Sequence, residues 1–264
     1  MQEKQTPHYG FAQTTIPWLV VGGSLLIYLL TLNRWVTLSS LNFVSNLAGW
    51  DNSLPQTGPL FFVVTYPIRW MPQTWQPILL NLFAAICSAF TLGLLARAVA
   101  LLPHDRTHEQ RQRERSEHSL LSVKAAWMPP VFAALVCGLQ LTYWEHSIAG
   151  TSEAFDLLIF AYCVRTLLEY RIDQNEGRLN RLALIYGLGV TNNWALIGFF
   201  PGFLVALIWI KGLRFFQWKF ILRMIGFGAI GLSLYLLLPL LWAFSDASAP
   251  FWEVLRANLG NQKL

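Results

Sequence analysis

Seven apolar blocks dominate the chain, near residues 16–33, 78–102, 127–144, 154–169, 182–196, 197–210 and 220–243. Each approaches or exceeds the roughly 20 residues that carry an α-helix across a bilayer, the fifth and sixth being the shortest. With 55% of residues hydrophobic and 12% charged, there are too few polar side chains to surround a water-soluble core. The expected fold class is an all-α polytopic membrane protein with about seven transmembrane helices.

The first block follows a polar start containing Lys4 and has no small-x-small cleavage pattern, so a retained anchor with a cytoplasmic N-terminus is expected. Seven crossings from that start put fifteen of the nineteen Lys and Arg on the cytoplasmic side, and leave Arg34, Arg69, Arg256 and Lys263 outside. This is the asymmetry that basic residues near helix ends impose. The net charge of +5 is then a mark of topology, and no nucleic-acid partner is expected. Cys87, Cys137 and Cys163 lie inside apolar blocks without CxxC spacing and read as small packing residues.

This division gives a cytoplasmic segment at 1–15 and a transmembrane domain at 16–243, with an outer loop at 34–77 and a cytoplasmic loop at 104–125. An outer-face amphipathic segment follows at 244–264, expected to continue in a longer chain. In the outer loop, Leu41, Val44, Leu47 and Ala48 form an apolar stripe at helical spacing. After the Asp51-Asn52-Ser53 turn, the apolar run from Leu60 to Val64 ends before Pro67 and is too short to span. Two short interfacial helices are expected there, with Trp50, Trp70 and Trp75 as an aromatic belt. In the cytoplasmic loop His104 and His108 stand at i,i+4, but no third ligand accompanies them, and no metal site is assigned.

Ionisable groups at the outer ends of helices are costly beside hydrocarbon and mark candidate sites. Asp51, Glu145, His146, Glu153 and Asp156 meet that description. Glu153 and Asp156, at i,i+3, would share one face of the first turn of a helix starting near Thr151, where the positive helix end favours their ionised forms. A capping role is the alternative for Asp156. Tyr143-Trp144-Glu145-His146 could position a sugar hydroxyl or relay a proton, or anchor at the interface. Asn192 and Asn193 could bind a polar ligand or satisfy a tight turn.

Three segments, in order, carry a resemblance: Pro55-Gln56-Thr57-Gly58-Pro59-Leu60, Trp144 through Glu153, and Gly187-Leu188-Gly189-Val190-Thr191-Asn192-Asn193. Together they resemble the Pro-rich turn, the Trp to Ala-Glu-Val segment and the Gly-Leu-Gly to Asn-His junction of the bacterial branch of the protein O-mannosyltransferase-like GT-C glycosyltransferases. The resemblance covers residues 16 to 262 and implies a GT-C-like module in a bacterial inner membrane. It departs at Ser39-Ser40-Leu41-Asn42-Phe43, where that family carries two carboxylates, at Leu54, where it carries a histidine before the Pro-rich turn, and at Asn193, where it carries the histidine of Asn-His.

The activity implied is transfer of a mannose-like hexose from a polyprenyl-phosphate donor to a protein or glycan acceptor on the outer face. Asp51 and Glu153 are the candidate catalytic carboxylates, Asp51 as general base, with Glu145, His146, Asp156, Asn192, Asn193 and Arg69 as substrate-binding candidates. Arg34 is a second cation within reach of a lipid phosphate, and a divalent cation is a possible cofactor. Two other readings stay open. One is a silent scaffold that binds lipid-linked glycan or a partner protein, suggested by the missing carboxylates; the other is a small-solute transporter.

Overall fold

The computed structural model describes residues 11–50, 58–102, 127–244 and 250–261. Asp51, the turn residues 55–57, His104, His108 and the loop 104–125 lie outside them. Among the described residues every regular element is helical.

Helix α1 (Phe11–Leu30) is followed by two short helices, α2 (Leu41–Ala48) and α3 (Pro59–Thr65), and by a 3-10 turn, Tyr66–Trp70. The next elements are α4 (Gln76–Leu101), α5 (Met128–Gly138), α6 (Leu141–Ile148), α7 (Glu153–Asp173) and α8 (Glu176–Asn192). A 3-10 turn, Trp194–Phe199, leads into α9 (Phe200–Lys211), and Gly212–Phe216 joins it to α10 (Trp218–Leu232). Ser233–Leu236 and α11 (Leu237–Ala243) extend that rod, and α12 (Phe251–Asn261) is the last element.

Four helical stretches among the described residues are long and apolar enough to cross a bilayer: Phe11–Leu30, Gln76–Leu101, Trp194–Phe216 and Trp218–Ala243. The pair α6 and α7, bent by 112°, adds a fifth when taken as one broken span. The blocks near 127–144 and 182–196 behave differently from the sequence expectation. The first is cut after 11 helical residues, where Gln140 turns extended, and α6 leaves separately. The second is split between α8, only 17 residues long and carrying Arg178 and Arg181 near its start, and the 3-10 turn after it. Large apolar side chains such as Trp18, Leu30, Phe132, Val205 and Trp209 are exposed, as a surface facing lipid requires.

Helix α4 is central, packing against α1, α5, α6 and α7, while α8 lies between α7 and α10. Its buried face is largely small: Ala84, Ala85, Ser88, Ala89, Gly93 and Ala96. Without a hydrophobic drive between helices in lipid, such residues let backbones approach and gain van der Waals contact. A Cβ on Gly93 would collide with Val21 of α1. The α8–α10 contact uses the same device, since a Cβ on Gly187 would fall 2.5 Å from the Gly228 carbonyl oxygen and one on Gly231 would strike that of Leu184.

At one end of the bundle Glu169, with a side chain 1% exposed, receives Arg97 of α4 and Arg165 of α7, each at 2.7 Å, and Arg178 of α8. Arg178 also pairs with Asp173 at 2.6 Å. Burying a carboxylate is costly unless its lone pairs are filled, and three guanidinium groups fill these. The network ties α4, α7 and α8 at the end opposite the short helices.

Candidate functional site

The corner between α6 and α7 organises the other end. Four residues, 149 to 152, make the 112° change of direction. The Gly150 N–H donates to Asn81 Oδ1 at 2.7 Å, and a Cβ at Gly150 would sit 2.6 Å from Leu80 Cγ, so glycine is what lets the corner lie against α4. Fully buried Asn81 also donates through Nδ2 to the carbonyls of Asn33 at 2.7 Å and Trp35 at 3.3 Å. One amide on the second turn of α4 thus fixes both the chain leaving α1 and the corner.

Helix α6 is held along its length. Tyr143 donates its hydroxyl to the Ser88 carbonyl at 2.8 Å, and Trp144 meets Tyr28 edge to face with ring centroids 5.9 Å apart. Both aromatics of the Tyr143-Trp144-Glu145-His146 run therefore serve packing. The two groups beyond them differ in placement. His146, half-buried, and Glu153, exposed, line one cavity of about 440 Å³ with Gln140, Thr142, Leu157 and Phe160. Glu145 is exposed and is not among that cavity's walls.

Asp156 sits one turn further along α7 and is buried. Its Oδ1 accepts from Asn192 Nδ2 at 2.5 Å and its Oδ2 from Asn193 Nδ2 at 3.0 Å. Asn192 Oδ1 in turn accepts the Phe61 N–H at 2.9 Å, which caps α3 in place of the absent side-chain cap at Gly58. Asn193 Oδ1 accepts the Ala195 N–H at 2.9 Å and starts the following 3-10 turn. Gly58 lies in the left-handed region with φ +68°, and a Cβ there would be 3.4 Å from Asn192 Oδ1. Gly58 and the start of α3 are thereby fastened to the C-terminal end of α8 and, through it, to the first turn of α7.

Glu153 and Asp156 are neighbours on the first turn of α7, as their spacing suggests, but their partners differ. Three residues turn the helix by about 300°, leaving the two side chains about 60° apart around the axis. That difference directs Glu153 into the cavity and Asp156 towards α8. Asp156 does not cap α7: Ser152 occupies the N-cap position and makes no side-chain cap bond. Asn193 satisfies the tight turn, one of its two readings, and both Asn192 and Asn193 also clamp a carboxylate.

Arg69 is exposed at the end of the turn after α3, and its Nη2 lies 3.4 Å from where a Gly49 Cβ would be. Gly49, with φ 72°, is the left-handed C-cap of α2. The guanidinium thus stands at the negative end of that helix, beside the chain leading to Asp51. Asp51 itself lies outside the described residues. Among the described residues no three His, Cys, Asp or Glu side chains group as a metal site.

Sequence reasoning passed over Asn81 and Glu169. A signal was present for both, because a polar or charged side chain inside an apolar block, as in Leu80-Asn81-Leu82, is expensive and needs an inward partner.

The described arrangement draws the loop, the corner and the α8 end together, and these are the three segments that carry the sequence resemblance. No curated protein and no solved structure matches the chain. A family model does: that of the protein O-mannosyl-transferase TMEM260 N-terminal domain covers residues 54–214, more than half of the 264. The match begins just before the Pro-rich turn and includes α3, the corner, the Asp156 clamp and α9. The chain, a multi-pass membrane protein, belongs to the protein O-mannosyl-transferase TMEM260 N-terminal domain family.

Proposed function

We propose that this protein is a membrane glycosyltransferase that moves a mannose-like hexose from a polyprenyl-phosphate donor to a protein or glycan acceptor at the face bearing α2 and α3. In this reading α5 and α8 complete seven crossings of a GT-C-like module, the N-terminus is cytoplasmic and the arginine end faces the cytoplasm. The single observation that carries the proposal is the docking of α2 and α3 on the bundle, Val44 and Phe61 against Leu80 of α4 and the Phe61 N–H on Asn192, at the end where His146 and Glu153 line a cavity. This supports a loop held over the α6–α7 corner.

The chemistry needs a base, a cation and an apolar path. A carboxylate, Asp51 or Glu153, takes the proton of the acceptor hydroxyl as that oxygen forms its bond to the anomeric carbon. The bond from that carbon to the phosphate oxygen breaks, and the polyprenyl phosphate leaves with the electron pair. Arg69, with Arg34 as its alternative, offsets the charge on the leaving phosphate. His146 orients a sugar hydroxyl from the cavity wall, and its apolar side chains accept part of the lipid. Glu145, exposed and outside the cavity walls, takes no part in this reading, while Asp156, Asn192 and Asn193 act as positioning residues because their polar atoms are already engaged.

The test is transfer of radiolabelled mannose from dolichyl- or undecaprenyl-phosphate mannose to a peptide library by the purified full-length protein. Loss of transfer in Asp51→Asn or Glu153→Gln, at unchanged protein level and melting temperature, is the expected result. Wild-type protein that binds the donor without turnover would instead establish a lipid-linked-glycan scaffold. That second reading is favoured by one feature, since the buried carboxylate of the site, Asp156, has both oxygens committed to amides.

A further inference from the structure

At the arginine end a separate polar cavity of about 480 Å³ opens where the C-terminus of α7, the start of α8 and the α9–α10 connection meet. Its polar walls are Tyr170, Gln174, Glu176, Lys211, Arg214 and Gln217. The carboxylate among them is already engaged. Glu176 receives Lys211 Nζ at 2.9 Å and Arg223, and Lys211 lies 3.6 Å from the Phe220 ring centroid with its side chain 9% exposed. Arg214 is exposed, and among the described residues it has no ion-pair partner. The cavity thus holds two cationic side chains, Lys211 and Arg214, against one carboxylate that Arg223 already pairs from outside the walls and the Tyr170 hydroxyl meets at 3.4 Å, so the positive charge of Arg214 is left over.

Position narrows the ligand. The α9–α10 connection joins two of the candidate spans, Trp194–Phe216 and Trp218–Ala243, so the cavity sits where the bilayer gives way to water. Leu213, Phe216 and Trp218 beside it are exposed by 89%, 62% and 69%. A multidentate cationic pocket next to exposed apolar side chains at a membrane boundary matches an anionic oxygen cluster carried at the end of a hydrocarbon chain. Arg214 provides charge with Lys211 behind it on Glu176, and Gln217, with the N–H that Gln174 does not donate to the Arg171 carbonyl, provides directed donors.

We propose that this cavity binds a phosphate-bearing anion, either the headgroup of an anionic phospholipid or a soluble phosphate ester, with Arg214 as the principal contact. Such binding would brace α7, α8 and the α9–α10 connection from the side opposite the proposed transfer site, and it does not depend on the transfer activity.

The experiment is native mass spectrometry of the detergent-purified full chain titrated with dioleoyl phosphatidylglycerol, or with dioleoyl phosphatidylcholine for comparison. Thermal unfolding in increasing inorganic phosphate runs in parallel. Wild-type retention of phosphatidylglycerol over phosphatidylcholine, reduced about tenfold in Arg214→Gln and largely restored in Arg214→Lys, supports a lipid headgroup. No lipid retention, with a phosphate-dependent rise in melting temperature that Arg214→Gln abolishes, supports a soluble phosphate ester. Equal retention by wild type and Arg214→Gln without any phosphate-dependent rise overturns the site. So does an equal loss in Lys219→Gln, an exposed neighbour outside the cavity, because the attraction would then be one of net surface charge.

Discussion

Asn192 donates to Asp156 at 2.5 Å with one end of its amide and accepts the Phe61 N–H at 2.9 Å with the other, so a single side chain joins α8, α7 and α3. Removing it leaves a buried carboxylate oxygen short of a donor and an N–H of α3 without an acceptor. Asn192→Ala is expected to cost about 3 kcal/mol, the sum of two unsatisfied buried groups. Asn193→Ala, at a half-buried position, is expected to cost about 1 kcal/mol. Chemical unfolding in detergent measures both, and equal losses would contradict the central place given to Asn192.

Gly58 meets two demands at once, a left-handed backbone and room for the Asn192 oxygen. Ala at this position introduces strain of about 1–2 kcal/mol and pushes on the clamp. Limited proteolysis is the sensitive readout, with earlier cutting next to the Pro-rich turn expected in Gly58→Ala. The same cutting rate as wild type would show that the turn is not fastened there.

The glycine seam between α8 and α10 predicts a contrast within one helix. Gly231→Ala drives a methyl into the α8 backbone, where nothing flexible can yield, and is expected to lose about 2 kcal/mol or more. Gly226 has open space where its Cβ would be, so Gly226→Ala is expected to be neutral or slightly stabilising through helix propensity. Melting temperatures of the two variants, measured side by side, decide it.

Burial pulls the Glu176 carboxyl upward, but Lys211 and then Arg223 outweigh it and hold the group below its ordinary value. A carboxyl lowered in the folded state stabilises the fold above its unfolded value and ceases to do so as the pH falls through the folded one. The melting-temperature advantage of wild type over Glu176→Gln should be level at neutral pH and shrink as the pH falls below the ordinary glutamate value. An advantage that widens on acidification would reverse the sign. Because the side chain is 43% exposed, the effect should also shrink in high salt.

How much of this was legible beforehand follows from what each signal depends on. Long apolar runs such as Gln76–Leu101 are local and announce themselves, and so do the short amphipathic stretch of α2 and the Pro-rich start of α3. The residues later found around the site were mostly visible as outliers of polarity, including His146, Glu153, Asp156 and the Asn192-Asn193 pair. Their partners were not. The Asp156 contacts lie 36 and 37 residues away, and the Asn81 contacts span 46 to 69 residues, distances that no periodicity encodes. The same applies to helix breaks: α5 stops after 11 residues although apolar residues continue beyond it, because Gln140 turns the chain out of the helix.

The corner between α6 and α7 sets the register of the cavity. His146 stands on one side of it and Glu153 on the other, and the four residues between Ile148 and Glu153 are anchored through Gly150 to Asn81. One residue more inside the first turn of α7, between Glu153 and Asp156, would turn Glu153 by about 100° relative to the rest of the helix and carry it off the cavity wall. Chain length at this turn is therefore as much a part of the cavity as the identity of the side chains that face it.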